Sequence, residues 1–375
     1  MNNQSAEKQL RSPRNGKIEL LRFIFCVAVL MFHFCKYILG EPSLKDGIHL
    51  SFFAHGAIGV EFFFLVSGFL MAKSAYKQVE ILKLPQDDKS LSKNYVQFIG
   101  RKFFSILPYH AVAFVMAFAA YVISKQMSTS KMIMYAAESL PNFLLIEMSG
   151  INLSNPNHIE WYISCMLLAM AILYPLCIRC YHRFTRFFSP LVAIFLLGYM
   201  QYTSGRLTGV SQWTGLCYKS LLRAIAEIAL GATAFEICRY LQGLKLNKLQ
   251  RVLLAIAEMA CFVLIMLFIL YTFESKIEVL VLFLLFILVI FAFSGVSYGS
   301  GVFNNKMCCY LGSISLPIYL AQLPAIYITT GFFGSSSTEK QLIIATVLSV
   351  LFTAIVKIFG DVLKKVFKPV KNKAS

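Results

Sequence analysis

Apolar residues fall in long runs broken by short polar or basic stretches. Runs of about 20 apolar residues are long enough to cross a bilayer as helices. The pattern predicts ten such helices, near 18–39, 57–73, 101–124, 159–181, 187–203, 216–240, 250–273, 277–294, 307–328 and 340–362. The segment 131–148 is also apolar but holds Glu138, Pro141 and Glu147. It reads as an interfacial or re-entrant element in a large loop. No internal repeat and no inverted pair of broken helices is visible. The expectation is an all-α polytopic bundle: a tail over 1–17, a membrane domain over 18–362 and a tail over 363–375.

Composition agrees. The chain has 375 residues, of which 58% are hydrophobic and only 14% charged. The mean hydropathy is +0.68. Those values exclude a soluble globular enzyme, a disordered chain and a small disulfide-stapled domain. The first apolar run passes into His33, Phe34, Cys35 and Lys36 without a small-residue cleavage site, so no cleavable signal peptide is expected. The ten cysteines lie mostly within apolar runs. Cys177 and Cys180 form an isolated CxxC, a weak metal signal that reads better as ordinary helix residues. No metal is expected.

The net charge of +17 invites a polyanion partner. In so apolar a chain, however, Lys and Arg report orientation first. With the N-terminus in the cytoplasm, ten spans put 25 of the 35 Lys and Arg on the inner side and nine on the outer, with Arg22 inside the first span. An odd span count would put the basic tail KKVFKPVKNK on the wrong side. Both termini are therefore expected in the cytoplasm, in a multi-pass membrane protein with the bilayer as its surroundings. Nucleic acid is not an expected partner.

Ionisable residues within spans are costly and are functional candidates by default. Arg22 and His33 stand eleven residues apart on the first span. That is three helical turns plus about 20°, so they share a face about 16 Å apart along the axis. Arg22 could instead snorkel to the inner headgroups, and His33 could be a satisfied interhelical hydrogen bonder. Glu61 on the second span has a depth matching His33. A Glu61–His33 hydrogen bond would fix the imidazole tautomer and raise its basicity. Gly56, Gly59 and Gly68, with Ser67, allow close approach of a neighbouring helix or ligand. Arg101 and Lys102 lie with Arg22 near the inner surface, with Ser67 and Ser105 slightly deeper. These cations could hold the phosphates of a cytosolic cofactor or serve only as positive-inside charges. No GxxxxGK[ST] loop is present, so nucleotide hydrolysis has no support.

Further candidates are less pointed. His110 lies near mid-depth on the third span. Lys219, Arg223 and Glu227 form a stripe at i, i+4, i+8, which reads as structural or as part of an acceptor site. His158, Glu160 and Trp161 open the fourth span. Glu258 has no obvious partner in the sequence, and Gln322 lies in the outer part of the ninth span.

Together these residues resemble a known family. Arg22-FIFCVAVLMF-His33 is similar to the Arg-x10-His pattern of the acyltransferase-3 membrane family. GAIGVEFFFLVSGFL (56–70) resembles its G-x-x-G-V-[DE]-x-F-F-x-x-S-G-F motif. FIGRKFFSILP (98–108), HIEWYISCMLLAMAILYPL (158–176) and LGSISLPIYLAQLP (311–324) resemble its third-helix start, its fourth span and its late Ser…Tyr-Leu signature. The resemblance implies acyl transfer, most often of acetyl from acetyl-CoA, to hydroxyls of extracytoplasmic glycans or glycolipids. It implies His33 as the catalytic histidine and Arg22 as part of the donor site. With Glu61 as orienting carboxylate, the expected catalytic pair is His33 and Glu61. The expected donor-binding set is Arg22, Arg101, Lys102 and Ser67. The family's Arg-x-x-Arg before the third-helix proline reads Lys102 and Ser105 here, which leaves Arg101 as the second guanidinium. Its late motif often ends in His where this chain has Gln322, a residue not expected to be catalytic. The chain ends soon after the last span without a fused extracytoplasmic domain, so the expectation is action alone or with a separate periplasmic or extracellular partner. The rival class is a transporter or flippase for a lipid-linked glycan, using the same intramembrane charges as a substrate path.

Overall fold

The computed structural model describes residues 14–40, 53–151, 154–271 and 277–366. Most of the two expected tails, 1–13 and 367–375, lies outside the described residues, as do Lys45 and Lys276 of the charge count. The structure is 82% helical with no strand among the described residues, so the all-α expectation holds.

Helices stand where hydropathy placed them: α1 Gly16–Phe34, α2 Gly59–Tyr76, α3 Asp88–Ser124, α4 Trp161–Arg179, α5 Ser189–Ser204 and α6 Lys219–Gln242. They are followed by α7 Lys248–Leu270, α8 Glu278–Ser294, α9 Lys306–Leu320, α10 Gln322–Phe333 and α11 Thr338–Val366. Among the described residues, seven helical segments are long and apolar enough to cross a membrane, or eight with the bent pair α9–α10 counted as one span. Helix α8 is apolar but has only 17 residues. Helix α6 carries Lys219, Arg223, Glu227, Glu236 and Arg239.

Polar residues set the helix starts. The Asn15 side chain caps α1 by accepting from the Lys17 and Ile18 amides, and its Nδ2 donates to the Ala292 carbonyl at 2.8 Å. Asp87 caps α3 through the Ser90 amide, which starts that helix thirteen residues before the apolar run does. A reciprocal capping box of Asn247 and Gln250 opens α7. The 131–148 region forms a short helix Thr129–Glu138, a turn of helix Leu140–Phe143 and a 3-10 turn Glu147–Ser149, as expected of a loop element.

Glycines set the closest helix crossings. A Cβ at Gly59 would meet the Phe25 carbonyl oxygen of α1 at 2.7 Å. Gly68 and Gly231 clasp α2 against α6, where a Cβ on either would strike the partner backbone at Ile228 or Leu65. Helix α2 is thus wedged between α1 and α6. Glu258, without a partner in the sequence, is paired with Lys17 of α1 at 2.9 Å, and Ser300 accepts from the same ammonium at 3.1 Å.

Candidate active site

At the end of the bundle where α1 begins lies a cavity of about 900 Å³, bounded by α1, α2, α3, α4, α6, α8, α9 and α11. Six cations line it: Arg14, Arg22, Lys73, Lys102, Lys357 and Lys364. Among the described lining residues two are carboxylates. Glu19 pairs with Arg22 at 3.2 Å, and Asp361 pairs with Lys357 at 2.6 Å while accepting from the Tyr109 hydroxyl at 2.5 Å. Lys102 has no carboxylate within ion-pair distance among the described residues; its ammonium lies 6.0 Å from the Phe98 ring. The inner wall is apolar, formed by Phe63, Val66, Tyr162, Ile163 and Met166. Ser67 belongs to that wall and turns its hydroxyl to the Met166 sulfur at 3.2 Å. A chamber whose described lining holds six cations, two carboxylates and an apolar wall suits a polyanion with a narrow, weakly polar arm.

The expected donor-binding residues divide here. Arg22, Lys102 and Ser67 share the cavity, and Ser105 lines it too. Arg101 does not. It is exposed and outside the lining, because one residue of helix turns it about 100° from Lys102. Arg14, Lys73, Lys357 and Lys364 were legible only as positive-inside charges.

His33 does not line this cavity. It sits near the opposite end of α1, just before a π-helical turn, Cys35–Leu39. Its Nδ1 is 2.6 Å from Gln322 Oε1, and its ring stacks on Tyr37 with centroids 6.2 Å apart. The Tyr37 hydroxyl reaches His158 Nε2 at 2.6 Å, and the Tyr327 hydroxyl lies 3.4 Å from His158 Nδ1. Gln322 opens α10, just after a 47° bend between α9 and α10 at Ala321. Pro324 has no N–H to donate to the Leu320 carbonyl, and Asn157 Nδ2 donates to that carbonyl instead, at 3.3 Å. The Tyr319 hydroxyl donates to the Ile159 carbonyl, fixing the other side of the bend.

The predicted Glu61–His33 bond is not formed. Glu61 Oε1 pairs with Arg223 Nη2 at 3.1 Å, and Arg223 Nε pairs with Glu227 Oε1 at 3.2 Å. The direction of the side chain decides this. Gly59 faces α1, and Glu61, two residues on, is turned about 200° away. Glu61 shares its stripe with Leu65 and Gly68, which face α6. All three members of the group are buried, and the guanidinium lies 5.6 Å from the Trp161 ring centroid. Lys219, expected in the same stripe, is separate: its ammonium donates to Ser204 Oγ and to the Arg206 and Thr208 carbonyls.

His110 is also paired. Its Nδ1 lies 2.9 Å from Glu160 Oε1 and its Nε2 2.9 Å from the Phe143 carbonyl. Glu147, in the adjoining loop, is buried, neither of its oxygens has a hydrogen-bond partner among the described residues, and burial pushes its carboxyl up to about 8. Among the described residues no group of three or more His, Cys, Asp or Glu side chains could hold a metal.

The family model described as an acyltransferase domain matches residues 15–359. The chain belongs to the acyltransferase-3 family. It is a membrane acyltransferase. The match runs through Arg22, His33, Glu61, Lys102 and Gln322, whereas Arg14, Asp361 and Lys364 of the cavity fall outside it. No curated protein and no solved structure matches the chain significantly. Sequence reasoning missed Arg14, Lys73, Lys357 and Lys364 as lining of one cavity, and it named Gln322 without its contact to His33.

Proposed function

We propose that the protein moves an acyl group, acetyl first among the candidates, from acyl-CoA to a hydroxyl of an extracytoplasmic glycan or glycolipid. The observation that carries this reading is the cationic cavity around Arg22 and Lys102. The phosphates of coenzyme A pair with Lys102, Arg22 and the other lysines of the cavity through charge-assisted hydrogen bonds. The pantetheine arm runs along Ser67 and the Phe63–Tyr162 wall toward His33. The positive-inside distribution of Lys and Arg supports a cytoplasmic mouth with both termini on that side, and the proposed setting is the bacterial cytoplasmic membrane. The acceptor then approaches from the other face, near His33.

In this mechanism His33 Nε2 takes the acceptor's hydroxyl proton. The hydroxyl oxygen attacks the thioester carbonyl and a C–O bond forms. The C–S bond breaks, and the thiolate leaves with the proton that His33 had taken. An alcohol is too weak an acid to ionise alone at neutral pH, and a positioned imidazole contributes roughly 10²–10⁴-fold.

The test is acyl-ester analysis of envelope glycans from a deletion strain, complemented with wild type or His33→Ala at equal membrane abundance. Wild type restores the missing ester and His33→Ala does not. Unchanged esters in the deletion strain, or full restoration by His33→Ala, would end the proposal.

A further inference from the structure

Building on the reading of His33 as the base, we propose that Gln322 is the positioning residue that fixes the catalytic tautomer of His33. Its amide oxygen accepts from Nδ1–H and so leaves the Nε2 lone pair free for the acceptor's proton.

The contact itself is short, 2.6 Å between His33 Nδ1 and Gln322 Oε1. A carbonyl oxygen can only accept, so with the amide in this orientation the proton sits on Nδ1. Neutral imidazole otherwise divides between two tautomers, and only one of them presents a base at Nε2. A carboxylate would do the same work, but among the described residues none is paired with His33. Glu61 is held by Arg223. The charged or titratable groups that face His33 are Lys36, His158 and Tyr37. A neutral amide thus sets the tautomer without adding a negative charge.

Gln322 is built into place. It is fully buried and begins a helix just after a 47° bend. The two residues before the bend are tied to the start of α4, Tyr319 through the Ile159 carbonyl and Leu320 through Asn157. Asn157 is held in turn by Glu160 at 2.8 Å, and Glu160 by His110. The other end of the amide, Nε2, is buried without a hydrogen-bond partner among the described residues. Among the described residues His33 is the amide's one side-chain partner.

The experiment reads the ring nitrogens of His33 directly. Protein carrying ¹⁵N-histidine is placed in lipid nanodiscs, and the His33 signals are assigned by their loss in His33→Asn. In wild type, above the titration of His33, Nδ1 is protonated and Nε2 is not. Gln322→Met loses that preference. Gln322→Glu keeps it and moves the titration up by about one pH unit, because a carboxylate also stabilises the imidazolium. A wild-type His33 protonated on Nε2 overturns the proposal, as does an unchanged tautomer in Gln322→Met. If the amide were reversed, Gln322→Glu would invert the tautomer instead of preserving it. The measurement uses neither donor nor acceptor. Full acyl transfer by His33→Ala would refute the proposed function and leave the tautomer result standing, and the converse also holds.

Discussion

Replacing Arg223 with Met removes one cation from between two buried carboxyls. Arg223 is 4% exposed, Glu61 1% and Glu227 0%. The guanidinium meets Glu61 at 3.1 Å and Glu227 at 3.2 Å. Taking away one partner of a buried ion pair costs about 3–5 kcal/mol, because the remaining charge is left without compensation. Glu61→Gln is a milder change. It leaves a one-to-one Arg223–Glu227 pair and an amide oxygen that can still accept, at a cost of about 1 kcal/mol. The expected gap between the two variants is therefore about 2–4 kcal/mol. Seven of the ten cysteines are buried, so a thiol-reactive fluorophore reports unfolding on heating. Arg223→Met should lower the midpoint several times further than Glu61→Gln. Equal midpoints would refute the placement of Glu61 and Glu227 on one guanidinium. Acyl transfer provides an independent readout on Glu61→Gln. Its pH profile should match wild type, since the carboxylate does not face His33. A displaced acidic limb would restore Glu61 as the orienting group.

Three further outcomes follow from the geometry. Lys102→Gln should weaken coenzyme A binding about tenfold, or about 1.4 kcal/mol, while Arg101→Gln stays within about twofold; calorimetry in nanodiscs showing the reverse order would remove Lys102 from the donor site. Glu147 in the fold holds its proton up to about pH 8, against 4.5 for the ordinary carboxyl, so its contribution to stability is fully present below 4.5 and lost as the pH rises through about 8. The wild-type thermal midpoint should therefore fall between those values and that of Glu147→Gln much less; parallel curves would contradict the burial of an unpartnered carboxyl. Gly68→Leu should cost at least about 3 kcal/mol, because the obstacle its side chain meets is the α6 backbone and not a movable side chain; a midpoint near wild type would refute the clasp of α2 on α6.

The helices were legible because a bilayer demands long apolar runs, and the structure places a helix or a broken pair at each of them. Their polar extensions were less legible. Helix α3 starts at Asp88 because Asp87 caps it, whereas hydropathy alone starts the span at 101. The cations of the cavity were visible as residues but not as a site. Lys73, Lys357 and Lys364 are the same residue types, at the same depth, that orient any membrane protein. Their convergence with Lys102 and Arg22 depends on which faces of α1, α2, α3 and α11 meet.

The error at Glu61 shows what depth leaves out. Glu61 and His33 were matched by distance from the surface, but a side chain in a bundle also has a direction around its helix. That direction was present in the sequence: Gly59 and Glu61 stand about 200° apart, so they cannot both face α1. The stripe Glu61, Leu65 and Gly68 runs at helical spacing along one side, the side that α6 covers. Gln322 is a different case. It follows a bend at Ala321, so an ideal helical angle carried from α9 through Pro317 would misplace it. Its partner depends on Asn157 taking up the carbonyl that Pro324 leaves free, a contact between residues 163 positions apart. The prolines mark where the ninth span breaks, but only the packed bundle brings the residue after the break to the imidazole.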